Sequence, residues 1–189
     1  MARTNRRRQS VCESHWPDYR SVTYYHKNEK GFCTIPRTLP MIASLIQQIS
    51  TVGDSSKVYI ELWSRMFDPA GFVEITDEEQ CANACGYMSS TSRAIRSWRE
   101  RIDELERLGF IRVAGWGTRK RAYILLLHPH QAVQQLRQSG FVTIPEPWWQ
   151  LFKMRLAAIG SELPPLKEPE SVEEITWPES DDFDDDPPF

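Results

Sequence analysis

A mainly α-helical chain with small β-hairpins, α+β in class, is what this sequence predicts. Three observations carry the prediction. Apolar residues recur at helical spacing in several segments. Short alternating or apolar runs, bounded by glycine or proline, lie between them. The composition, 40% apolar and 26% charged over 189 residues, suits one globular domain with arms.

The elements follow in chain order. Residues 1–15 hold Arg3, Arg6, Arg7 and Arg8 and little that could pack, so they read as a disordered basic arm. Residues 20–35 alternate as a hairpin, with strands at 21–26 and 32–35 and a turn over 28–31. Pro36 ends the second strand because it removes a ladder donor. Residues 38–50 form a helix with Leu39, Ile42, Leu45, Ile46 and Ile49 on one side. Asp54 or Ser55 caps the next helix, which runs to about Phe67 and carries Val58, Tyr59, Leu62, Trp63 and Met66. Pro69 and Gly71 stop it, and residues 72–75 make a short strand.

Thr76 then caps a short helix over 77–85, whose positive end suits Asp77, Glu78 and Glu79. Gly86 closes it as a left-handed C′ residue. Ser89 or Ser90 caps a longer helix that lasts to about Leu108 and closes at Gly109. Residues 110–113 form a strand, Gly115-Trp116-Gly117-Thr118 turns the chain, and residues 122–127 return as an apolar strand.

Helix, tight glycine turn, helix and basic-tipped hairpin follow one another over residues 77–127, and ITDEEQCANACGYMSSTSRAIRSWRERIDELERLGFIRV, residues 75–113, holds them as far as the hairpin's first strand. This order resembles the winged helix-turn-helix family. In that family a strand precedes the first helix, small residues pack at the helix crossing, and the long helix ends in a Leu-Gly-Phe/Leu-Ile phrase. Here Ala82 and Ala84 are the small residues, and Leu108-Gly109-Phe110-Ile111 is the phrase. The resemblance covers about residues 38–128. The second helix is nearly two turns longer than a minimal recognition helix. The resemblance implies a winged helix-turn-helix with extra flanking strand-helix elements. Its implied work is binding double-stranded DNA to regulate transcription or replication, as on a plasmid or other mobile element.

Periodicity says which face of the long helix is free. Ile95, Trp98, Ile102 and Leu105 make a core stripe, and Arg93, Arg96, Ser97 and Glu100 point the other way. The first half of that outer face offers Ser90, Thr91, Arg93, Arg96 and Ser97. Arginine can take guanine O6 and N7 together, and serine or threonine adapts to phosphates and several base edges. No acid occurs from 80 to 99, while Glu100, Asp103, Glu104 and Glu106 cluster later. That order opposes the helix dipole at both ends and favours an anionic partner near the start. The bland alternative is a solvated arginine face.

Arg112, Arg119, Lys120 and Arg121 surround a hairpin tip holding Trp116, suited to the sugar-phosphate backbone or a minor groove. The same charges would also protect an exposed hairpin from edge pairing. Arg6, Arg7 and Arg8 add a flexible contact.

Cys81 and Cys85, one turn apart, read as buried small hydrophobes. Cys12, His15, His26 and Cys33 match no strong zinc spacing, so no metal and no cofactor are expected. No phosphate loop, dinucleotide motif, nucleophile elbow or metal-protease helix occurs, so the chain does not read as an enzyme. GFCTIP at 31–36 recurs as GFVTIP at 140–145, which suggests two similar strand-helix flanks and admits a homodimer. A helix over 146–159 places Trp149, Phe152, Leu156 and Ile159 on one face. His128 and His130, beside Pro129, read as helix-start caps.

The last 29 residues, 161–189, hold eleven acids and one base, a net −10. The chain's net −3 therefore leaves +7 on residues 1–160. A Pro-rich polyanion of this kind reads as disordered. It reads either as a solubilising or partner-docking segment or as an internal mimic of DNA. A winged-helix protein-protein adaptor is accordingly the alternative reading. No apolar run approaches ~18 residues and the start lacks a secretory h-region, so a cytoplasmic protein with no membrane contact is expected.

Overall fold

A computed structural model of the chain describes residues 33–66 and 71–165, with Val11, Ser14 and His15 besides. Arg6, Arg7 and Arg8 of the arm, the hairpin strand at 21–26 with its turn, and the tail beyond Pro165 lie outside the described residues. The described residues form a mixed α+β structure of six helices and one small antiparallel sheet. The chain divides into two compact units after Leu127. No helix among the described residues is long and apolar enough to cross a membrane.

The first unit holds most of the elements. Helix α1, Leu39–Ile49, buries Leu39, Ile42, Leu45 and Ile46, the stripe expected from their spacing. Helix α2, Ser56–Arg65, packs on α1 and buries Val58, Tyr59, Leu62 and Trp63. Strand β1, Phe72–Glu74, precedes helix α3, Glu78–Ala84, and the 17-residue helix α4, Thr91–Arg107. Strands β2, Ile111–Trp116, and β3, Arg119–Leu126, complete a sheet of order β1-β3-β2. Val73, Ala122, Ile124 and Ile111 face inward and are buried. They share a core with Trp98, Ile102 and Leu105 of α4 and with Phe110, whose ring lies 5.3 Å from that of Tyr59.

Several local expectations need correction. Residues 33–36 carry no strand, so the described part of the first hairpin is irregular. The cap of α3 is Asp77 rather than Thr76. Its carboxylate accepts from the backbone N–H of Glu79 at 2.8 Å and Gln80 at 3.1 Å, and the residue has the extended backbone of an N-cap. The core stripe of α4 runs through Ala94, Trp98, Ile102 and Leu105, with Ile95 half-buried at its edge. The second hairpin has longer strands and a shorter turn than expected. Trp116 pairs with Arg119, so only Gly117 and Thr118 turn the chain. The register shifts between Ala114 and Trp116. Gly115 permits this, because a Cβ there would come 3.2 Å from the carbonyl oxygen of Arg119.

Glu104, one of the acids clustered late in α4, is buried. Its Oε1 accepts from the Thr51 backbone N–H at 2.7 Å and from the Thr51 hydroxyl at 3.1 Å. Arg107 Nε donates to its Oε2 at 2.6 Å. The Arg107 guanidinium, helped by Thr51 and opposed by burial, holds this carboxyl below its ordinary value. A carboxyl depressed in the folded state adds stability above its unfolded value, and that stability is lost as pH falls through the folded value. The stability difference between wild type and Glu104→Gln should therefore shrink towards zero as pH drops from 7 to below about 4. Thermal melts across that range check it. A difference that stays constant would show that the charge of Glu104 contributes nothing.

The second unit is helical. Helix α5, Pro129–Ser139, buries Val133 and Leu136, and helix α6, Glu146–Ala158, buries Trp149, Phe152 and Leu156, with Ile159 half-buried; Arg137 of α5 pairs with Glu146 and covers the Trp149 ring at 4.7 Å. His128 makes no side-chain cap on α5, contrary to expectation. His130 is instead buried, edge-on to the Phe152 ring at 5.6 Å. Residues 141–145 are not a strand. The repeated Ile-Pro phrase leads into a helix in both places, and Pro145 is the N-cap of α6.

Candidate nucleic-acid interface

The turn between α3 and α4 sets the geometry. Cys81 and Ala82 bury the inner face of α3, and Gly86 adopts the left-handed φ of +81° that lets the chain reverse. Tyr87 then turns inward. Its hydroxyl donates to the Asp54 carbonyl at 3.3 Å, and the Arg101 guanidinium covers its ring at 4.9 Å. Cys85 is buried too, and burial pushes its thiol up to about 12, which suits packing and not chemistry. α4 starts at N-cap Ser90, which makes no side-chain cap bond.

The first half of α4 presents Ser90, Thr91, Arg93 and Arg96 to solvent, with Ser97 half-buried. These residues differ in how they are held. The Thr91 hydroxyl donates to Glu79 Oε1 at 2.8 Å, which ties the start of α4 to α3. Arg96 Nε donates to Glu100 at 2.9 Å in a pair whose arginine is 81% exposed. Such an exposed pair holds the guanidinium weakly. Arg93 makes no ion pair among the described residues. The dipole at the start of α4 therefore meets two solvent-facing guanidinium groups and no acid of its own turn.

The hairpin residues divide. Arg119 is exposed, and its Nη1 donates to the Ile75 carbonyl at 3.2 Å. Lys120 is exposed beside it. Arg121 is half-buried and grips Asp103 of α4 through both carboxylate oxygens, at 2.6 and 2.7 Å. These three flank an open cleft of about 930 Å³ between the hairpin, the start of α3 and α4. Arg112 stands apart from them. It lies opposite Leu125 on the outer face of the sheet, whereas Arg119 pairs with Trp116 beside the turn.

Two functional-site features were not read from the sequence. Arg99 lines the same cleft and is ion-paired to Glu78, its Nε donating at 2.8 Å. Glu78 and Glu79, read as favouring the helix dipole, are also the anchors that fix α4 to α3. No sequence signal at a separation of 12 or 21 residues marks either contact. Comparison of the chain with protein-family models, curated proteins and solved structures finds no match.

Proposed function

We propose that this chain is a winged helix-turn-helix protein that binds double-stranded DNA, acting in control of transcription or replication, as on a plasmid or other mobile element. The observation that carries the reading is the exposed, acid-free first half of α4, with Arg93 and Arg96 turned to solvent. The element order, the β1-β3-β2 sheet and the Arg119–Lys120 edge of the hairpin support it. Ser90, Thr91, Arg93, Arg96 and Ser97 would meet base edges and phosphates in the major groove. Arg119 and Lys120 would meet the backbone. Arg121, held by Asp103, would orient the hairpin rather than carry the contact. Arg6, Arg7 and Arg8 would supply a sequence-independent contact from the arm. The protein would work in the cytoplasm, without a cofactor and without catalysing a reaction.

A mobility-shift experiment against genomic duplex fragments, run over a salt series, tests the reading. Specific binding that weakens steeply with salt supports it. No binding to any duplex at low salt overturns it. It would leave the adaptor reading, which the acidic tail favours.

The tail adds an expected result of its own. A net −10 segment tethered to a +7 body has a high effective concentration near arginines that also meet phosphates. A 1–160 truncation should bind DNA more tightly than the full chain, most clearly at low salt. The gap should close as salt screens the tail. Equal affinities across the series would leave the tail as a docking or solubilising segment.

A further inference from the structure

The outer face of the sheet is apolar at its centre and exposed. Phe72 is 40% exposed, Leu125 38% and Trp116 61%. Tyr123 joins them, with its ring edge-on to Phe72 at 6.2 Å and to Trp116 at 6.5 Å. The register fixes the layout. Phe72, Leu125 and Arg112 form one row across the strands, and Glu74, Tyr123 and Ala114 form the next. Alternation along each strand sends all six to the same face, opposite the buried Val73, Ile111 and Ile124.

The charges on this face are placed so that it complements itself. Glu74 stands at the β1 edge of one row and Arg112 at the β2 edge of the adjacent row. Both are exposed, and neither has an ion pair among the described residues. A two-fold axis lying between two such faces, through the space between Leu125 and Tyr123, carries Glu74 of one copy over Arg112 of the other. By the same operation it makes the reciprocal pair. The apolar residues Phe72, Leu125 and Tyr123 then meet at the centre. This is the arrangement an isologous contact requires, with residue i on j and j on i.

We infer that the outer sheet face is a homodimer interface, its occupant a second copy of this chain, closed by two reciprocal Glu74–Arg112 pairs around an aromatic centre. The six outward residues of this face are fewer than the roughly 20–30 residues a side of a standard interface, so the association is weak and concentration-dependent. Arg112 belongs to this contact and not to the DNA surface.

Sedimentation equilibrium of the full chain, without DNA, tests this between about 5 and 200 µM, the range suited to a contact of this size. The average mass should rise from monomer towards dimer. Glu74→Arg and Arg112→Glu should each weaken association at least about tenfold, and the double exchange should restore it to within about threefold, as reciprocal charge pairing demands. Leu125→Lys should abolish it, with thermal melts confirming that each variant is folded. A monomer at every concentration overturns the inference. So does a dimer indifferent to these substitutions, or a double exchange no better than the singles. The measurement contains no DNA, so its outcome is independent of the proposed function.

Discussion

Trp98→Ala lowers the stability of the first unit by about 3–5 kcal/mol, read as the shift in a denaturant or thermal unfolding curve. The indole is completely buried and is the largest of the fully buried side chains. It sits in the middle of α4, between Ala94 and Ile102, on the stripe that faces the helices and the sheet. Alanine removes the ring and leaves a cavity whose walls belong to several elements, so collapse cannot heal it cheaply. Trp98→Phe refines the test. The Trp98 indole N–H finds no acceptor among the described residues. Phenylalanine therefore removes an unsatisfied donor while leaving a much smaller gap, and should cost well under half as much. An unchanged melting temperature for Trp98→Ala would mean that α4 is rotated relative to the core.

Arg93→Ala and Arg96→Ala form the second large expectation. Each should weaken specific binding to a selected duplex by about 1–3 kcal/mol, about 5- to 150-fold, if the guanidinium is bidentate to a guanine. Stability should hardly change, because both side chains are exposed and the only ion-pair partner of either among the described residues is Glu100, in a solvent-facing pair. The two variants thus separate binding from folding, the reverse of Trp98. The cost should appear as relaxed discrimination at one base pair and not as a uniform loss. A uniform loss with a shallower salt slope would assign the arginine to phosphate. Full affinity and specificity in either variant would move the recognition surface elsewhere.

Much of the first unit was legible because periodicity is a local property. The stripes of α1 and α2 and the inner positions of α4 follow from 3.6-residue spacing. Gly86 as a helix-closing residue follows from backbone geometry. What escaped was set by partners distant in the chain. Glu104 looks like one acid among four, and only the Thr51 N–H, arriving from the end of another helix, makes it a buried acceptor. Thr76 and Asp77 are adjacent and both cap-competent, so composition could not choose between them. The hairpin turn was drawn too long because two glycines flank Trp116. One serves the turn, and the other serves close approach within the strand. At the candidate site the exposure of Arg93 and Arg96 was readable from the helix, whereas the Asp103 clamp on Arg121 was not.

That clamp also fixes a distance. Bidentate Arg121–Asp103 joins β3 to the second half of α4, so the pair sets the span between hairpin and helix as the bar of a caliper does. Under the proposed function, a duplex touched by both would present its major-groove bases and its flanking backbone at that separation. Inserting one base pair between the two contacts shifts them by about 3.4 Å along the axis. Under the proposed function, such an insertion should weaken binding.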